Sequence, residues 1–147
     1  MHGLAMTYDQ IEKWDKSDEL YTKLIALNDR DAQAYNNFAY SLVERDEDLE
    51  YALTLAEKAI QISPDVSAYL DTIGWIYYKL SEFEKAKDFI AQALIYDDSS
   101  AVILEHYGDV LISLKEIDEA LIFYNKALLL DEDNELLQTK ISSYESQ

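Results

Sequence analysis

A spacing that recurs every ~34 residues constrains this chain more than any single motif in it. Gly74 is followed at that interval by Gly108, Leu80 by Leu114, Ala86 by Ala120 and Ala93 by Ala127. One repeat upstream, Ala39, Leu42, Ala52, Ala56 and Ala59 fill the same roles, with one extra residue in the loop between the helices. A period of this length is that of a solenoid of helix-turn-helix units, none of which can bury its own apolar face without stacking on a neighbour. One proline and three glycines in 147 residues leave little material for strand-type turns and favour helices throughout.

Taken in order, residues 1–31 read as a partial repeat. Leu4, Ala5, Tyr8 and Ile11 are spaced for one face of a first helix, and Leu20, Tyr21, Leu24, Ile25 and Leu27 for a second. Trp14 falls at the turn, and Ser17 and Asp18 are expected to cap the second helix. Residues 32–66 form the first complete repeat: Tyr35, Phe38, Ala39 and Leu42, then the loop Arg45-Asp46-Glu47-Asp48, then Leu49, Ala52, Leu53, Ala56, Ala59 and Ile60. Ser63-Pro64-Asp65 stops it, because proline cannot continue a helix. Residues 67–100 carry Leu70, Ile73, Gly74, Tyr77 and Leu80, with Ser81 expected as the N-cap of a second helix holding Phe83, Ala86, Ile90, Ala93 and Leu94. Residues 101–134 repeat the pattern with Leu104, Tyr107, Gly108, Leu111 and Leu114, then Ile117, Ala120, Tyr124, Ala127 and Leu128. Residues 135–147, with Leu136, Leu137 and Ile141, read as a terminal capping helix over the last apolar face.

A helical glycine costs about 1 kcal/mol relative to alanine, so its recurrence at Gly74 and Gly108 needs a compensating gain. Close approach of the paired helix supplies it. The pattern resembles the tetratricopeptide repeat family, on Gly74, Tyr77, Ala86 and Ala93 with Gly108, Leu111, Ala120 and Ala127 in register and Pro64 where that family often ends a helix. The segments Asn36 to Leu42 and Tyr69 to Tyr78 are similar to repeats in bacterial proteins. The resemblance implies an all-α, right-handed superhelical solenoid of roughly three and a half repeats with a C-terminal capping helix, about nine helices in all. It also implies a concave inner surface formed mainly by the first helix of each pair.

Composition narrows the partners. Thirty acidic and 12 basic residues give a formal charge of −18. This weighs against nucleic acid, whose phosphates need a basic footprint, and against an anionic membrane surface. No apolar run is long enough to span a bilayer, and the first residues lack the basic region and apolar core of a signal peptide. Cysteine is absent, which excludes disulfide and thiolate chemistry. His2 and His106 lie in different repeats without metal-ligand partners at helical spacing. Asp131-Glu132-Asp133-Asn134-Glu135 lacks the central glycine and closing glutamate of a calcium loop and reads as a solvated connector. Neither a nucleophile elbow nor a phosphate loop is present. No cofactor and no catalytic residue is therefore expected.

Stepping around each first helix away from its buried face puts Gln33, Asn36, Asn37, Tyr40, Val43 and Glu44 on the inner surface. The next repeats add Ala68, Asp71, Thr72, Trp75, Tyr78 and Lys79, then Val102, Glu105, His106, Asp109 and Ile112. A partner-binding set follows. Tyr40, Trp75 and Tyr78 are candidate apolar anchors. Asn36 and Asn37 are candidate hydrogen-bonding groups for a ligand backbone. Asp71, Glu105 and Asp109 would favour a basic ligand. The competing reading has Trp75 and Tyr78 packed against neighbouring repeats and the carboxylates solvated. A chaperone-tail clamp, known for part of the family, is disfavoured because its inner-face lysines are missing and Asp71 and Glu105 would repel a carboxylate. The expected function is a non-catalytic module holding a neutral or basic peptide of a partner protein. The alternatives are a self-associating scaffold, with a homo-oligomer forming through the N-terminal edge of Leu4 and Tyr8, or one module of a larger protein. Compartment and partner identity are not readable.

Overall fold

The computed structural model describes residues 2–146. Met1 and Gln147, the outer limits of the first and last expected segments, lie outside the described residues. Nine α-helices make up the regular structure of the described residues: α1 (His2–Gln10), α2 (Trp14–Leu27), α3 (Ala32–Glu44), α4 (Leu49–Ile62), α5 (Ser67–Lys79), α6 (Phe83–Tyr96), α7 (Ala101–Ser113), α8 (Ile117–Leu130) and α9 (Glu135–Glu145). They pack as antiparallel pairs, α1–α2 through α7–α8, and each second helix rests on the first helix of the next pair. First helices also touch across pairs, α1 on α3, α3 on α5 and α5 on α7, whereas among the described residues no two second helices meet. Packing one set close and splaying the other curves the stack. The first helices therefore line the inner surface of an all-helical solenoid.

The contact inside each pair is a match of sizes at one register position. A Cβ added at Gly74 would lie 2.5 Å from Ile90 Cγ1 and 3.3 Å from the Ala86 carbonyl oxygen, and one added at Gly108 would meet the Tyr124 ring. The second-helix residue facing the glycine is thus large in both pairs. In α3–α4 the same rung is Ala39 against Ala56, both buried, so alanine suffices where its neighbour is small. The alanines expected to make this contact, Ala86, Ala93, Ala120 and Ala127, are fully buried. Ile90 and Tyr124 are nonetheless the side chains that a Cβ at Gly74 or Gly108 would meet, whereas Tyr21 at the same rung packs with Ala5 and reaches Asp9 instead. Ile60, Tyr77 and Phe89 pack against both halves of the core and make it continuous along the stack.

The turns inside the pairs use backbone rather than side-chain caps. Glu12, Asp46, Ser81 and Lys115 adopt left-handed backbone, with φ of 58°, 50°, 62° and 64°. In each, the next amide donates back over the helix end: Lys13 to Tyr8, Glu47 to Leu42, Glu82 to Tyr77 and Glu116 to Leu111, at 2.9–3.0 Å. This is the Schellman arrangement, which usually takes glycine at the left-handed position. Ser81 is therefore the turn residue and not a helix cap; Glu82 precedes α6 and makes no side-chain cap. The extra residue of the Arg45–Asp48 loop supplies a second left-handed residue, Asp48, whose carboxylate accepts from the Tyr51 amide at 3.3 Å.

Three further expectations are corrected. α2 begins at Trp14, so Ser17 and Asp18 lie inside it. The Ser17 hydroxyl is buried and donates to the Trp14 carbonyl, and Asp18 pairs with Arg45. Leu27 and Leu136, assigned to buried stripes, are exposed; they are the last residue of α2 and the second residue of α9. Val43, assigned to the inner surface, is fully buried because α5 covers it.

The rung geometry predicts that Gly74→Ala destabilises by about 1–3 kcal/mol through overpacking. Ile90→Ala alone costs about 2–5 kcal/mol as a cavity. The double variant, which copies the Ala39–Ala56 rung, should cost at least about 1 kcal/mol less than the sum. Urea unfolding of the four proteins measures this, and strict additivity would refute the size match. Ser81→Gly relieves a left-handed serine worth about 1–2 kcal/mol, partly offset by unfolded-chain entropy. A raised melting temperature is the expected result.

Candidate functional site

The inner surface carries two hollows that share one wall. The first, about 290 Å³, lies between α1 and α3 and is lined by Met6, Asp9, Gln10, Trp14, Tyr21, Asn37, Tyr40, Ser41 and Glu44. The second, about 240 Å³, is lined by Glu44, Trp75, Lys79, Val102, Glu105, His106 and Asp109. Glu44 borders both, so they run on from one another across α3 and α5.

A set of cross-repeat pairs controls what these hollows offer. His106 Nδ1 lies 3.0 and 3.1 Å from the two carboxylate oxygens of Asp71, one repeat back. At the corresponding positions one repeat on, Lys140 of α9 donates to Glu105 at 2.7 Å and also to Asp109 at 3.0 Å. Each base follows its acid by 35 residues, so the two pairs are successive rungs of one ladder. The rung before them is neutral. Asn36 stands in the acid position and Thr72 in the base position, where the Thr72 hydroxyl donates instead to the Ala68 carbonyl at 2.9 Å.

This ladder redistributes the residues expected to bind a partner. Asn36 is 8% exposed and its Oδ1 has no hydrogen-bond partner among the described residues; it is covered by the next repeat and does not face the hollows. Asp71, 6% exposed, is committed to His106, and Thr72 is buried beside it. Glu105 and Asp109 line the second hollow, where Lys140 bridges both and offsets one of their two charges. They therefore present less charge to a basic ligand than two free carboxylates would.

The aromatics divide the same way. Trp75 stacks on Tyr78 at 4.4 Å between centroids and on the His106 ring at 3.8 Å. Tyr78 also meets Phe83. Trp75 is half-buried and borders the second hollow, whereas Tyr78 lines neither. Both act chiefly as struts between α5, α6 and α7. Tyr40 differs: it is 42% exposed on the wall of the first hollow. Burial of its ring body and the neighbouring Glu44 push its hydroxyl up to about 12, so it is a neutral phenol at any physiological pH. Asn37 lines the same hollow, with its amide nitrogen 3.7 Å from the Met6 sulfur.

Two tyrosine–carboxylate pairs complete the surface. The Tyr21 hydroxyl donates to Asp9 at 2.7 Å, and the Tyr124 hydroxyl to Asp109 at 2.6 Å. Tyr21 and Tyr124 occupy the same register position of their second helices. Burial, then the accepting carboxylate, raises both hydroxyls far above the ordinary tyrosine range. Sequence inspection missed Asp9, Trp14, Ser41 and Lys140. The readable signal for Lys140 was an acid and a base recurring 35 residues apart, at 71 and 106 and again at 105 and 140.

Residues 68–98 and 101–134 match the tetratricopeptide repeat family. A TPR repeat-containing protein of Pseudomonas aeruginosa is 35% identical over 71 residues, which cover 48% of this chain and 12% of that protein. The chain spans less than a fifth of the length of the curated relatives it matches. Among solved structures it resembles TTC0263, a thermophilic TPR protein of Thermus thermophilus, with a TM-score of 0.85 and 25% identity over 99% of this chain and 80% of that one. It also resembles YrrB, described as a TPR protein with an unusual peptide-binding site. That likeness has a TM-score of 0.75 and 27% identity over 84% of this chain and 63% of that one.

Lys140 ties α9 to the inner surface, and its loss should be measurable. Burial lowers its pKa, but the bonds to Glu105 and Asp109 outweigh this and leave it raised above the ordinary lysine value. A raised folded value means that its stabilisation is complete below the ordinary lysine range and fades as pH rises through the folded value. Lys140→Met is expected to cost about 1.5–3 kcal/mol at neutral pH. It should also lessen the fall in melting temperature between about pH 9 and about pH 12. Parallel thermal melts across that range test both.

Proposed function

Because the chain belongs to the tetratricopeptide repeat family, a family of protein-interaction modules, we propose that it is a non-catalytic module holding a peptide segment of a partner protein in the first hollow. The observation that carries this reading is the asymmetry of the inner surface. In its C-terminal half the Asp71–His106 and Lys140 pairs and the Trp75–Tyr78 stack engage most of the polar and aromatic groups around the second hollow. The hollow between α1 and α3 stays open, with an exposed tyrosine, a tryptophan, a methionine and an amide on its walls. Aromatic walls bury ligand area at little cost in side-chain entropy, and the Asn37 amide offers a donor to an extended backbone.

The surface is preformed by packed helices, so little ordering opposes binding. A ligand side chain with an apolar stem, lying between Tyr40, Trp14 and Met6, is the anchor. The net charge of −18 disfavours acidic segments and leaves neutral or basic ones.

A second reading, self-association through an edge, has its own observation. Leu129, Leu130 and Leu136 are all more than half exposed around the α8–α9 connection. Light scattering over a range of concentrations separates the two, since a strict monomer removes the scaffold reading.

Peptides selected on the wild type from a random displayed library test the first reading. Tyr40→Ala should weaken them by about tenfold or more, as expected for an aromatic anchor, while leaving the melting curve in place. Trp75→Ala should instead lower the melting temperature. If selected peptides bind Tyr40→Ala as tightly as the wild type, the first hollow is not the site.

A further inference from the structure

We infer that the first hollow seats the ammonium group of a lysine side chain on the partner, an assignment that rests on the peptide reading above and specifies its anchor. The chain contains its own example of such a seat. Lys140 Nζ lies between Glu105 and Asp109, 5.3 Å from the centre of the Tyr124 ring, and Asp109 also accepts from the Tyr124 hydroxyl. The seat is thus a carboxylate fixed by a buried tyrosine hydroxyl, a second carboxylate, and an aromatic ring facing the ammonium.

The first hollow repeats this chemistry. Tyr21, at the register position of Tyr124, donates to Asp9, which also accepts from the Ser41 hydroxyl at 2.8 Å. Asp9 comes from one turn further along its first helix than Asp109 does. Its carboxylate is thereby held rigid and aimed into the hollow, and Glu44 stands exposed on the facing wall. Tyr40, Trp14 and Met6 supply surface for a methylene stem.

One component is missing. The residue of α3 that corresponds to Lys140 in α9, and to His106 in α7, is Asn37, which is neutral and lines the hollow. Where α7 and α9 supply a base in cis, α3 supplies an amide and leaves an open space of about 290 Å³. Among the described residues that line that space two are carboxylates and none is basic; the neighbouring Arg45 is engaged by Asp18 and lies over the Trp14 ring at 4.9 Å. A partner lysine completes the charge pattern with the same chemistry, a cation between a tyrosine-held carboxylate and a second carboxylate, here on two helices rather than one.

The test uses the whole chain and two probes, Nα-acetyl-lysine methylamide and its norleucine counterpart, titrated by two-dimensional proton–nitrogen NMR. The lysine probe is expected to shift the amides of Asp9, Asn37, Tyr40 and Glu44, with the norleucine probe roughly tenfold weaker or silent. Raised salt should diminish the lysine response. Asn37→Lys, which places an ammonium in cis, should abolish the lysine response and raise the melting temperature. Glu44→Gln, at an exposed position, should weaken the response severalfold with an unchanged melting curve.

Equal shifts from both probes would overturn the ammonium seat and leave the peptide reading standing. So would silence from both probes while library-selected peptides still bind in a Tyr40-dependent way. An undiminished lysine response in both Asn37→Lys and Glu44→Gln overturns it as well. If neither probe nor any selected peptide depends on Tyr40, both readings fall together.

Discussion

Everything else in this molecule depends on how closely the two helices of a pair approach. At one rung per pair a small residue on the first helix meets the second: Gly74 meets Ile90, Gly108 meets Tyr124, Ala39 falls at the rung of Ala56, and Ala5 at that of Tyr21. Fixing that separation fixes the angle at which the next pair must stack. It also fixes which residues of successive first helices come within reach of each other. The inner-surface ladder at 35-residue spacing is thus a product of packing well behind it. The buried rung positions the charges, and the charges then decide which parts of the surface remain open.

The ladder grades the inner surface from one end to the other. Its first rung, Asn36 with Thr72, is neutral; the second, Asp71 with His106, is an acid and a titratable base; the third, Glu105 with Lys140, is a full ion pair extended to Asp109. The aromatic residues follow the same gradient. Trp75 and Tyr78 are locked by stacking, and Tyr40, one repeat earlier, is open. Exposed aromatic surface is thus greater toward α1 and α3, and internal pairing engages more of the later repeats.

The periodic part of this arrangement was legible in the sequence. Glycine and alanine at ~34-residue spacing identify the helix pairs and the closely packed rung. What periodicity cannot supply is the identity of the neighbour that covers a given side chain. Asn36, Val43, Asp71 and Thr72 fall on the inner arc of their own helices, but the adjacent repeat buries all four. A single-helix projection has no means of showing that. The turns were misread for a different reason. Serine and aspartate near a helix start suggest side-chain caps, whereas Ser81 and its counterparts Glu12 and Lys115 close their turns through backbone hydrogen bonds that leave no residue-type signature once glycine is absent. Asp9 was passed over because its roles, accepting from Tyr21 and Ser41, join three helices and have no local pattern.

The longer loop of the α3–α4 pair shows where this architecture tolerates a change of chain length. The added residue is absorbed between two left-handed residues, Asp46 and Asp48. The helix before it still closes through the Glu47 amide, and the helix after it gains a capped start. Because both helix ends are tied off independently, the insertion does not propagate: Ala39 still meets Ala56, and the core continues unbroken into α5. The turn therefore acts as an expansion joint, a place where evolution or an engineer can lengthen the chain and display new sequence while the stacked helices keep their positions.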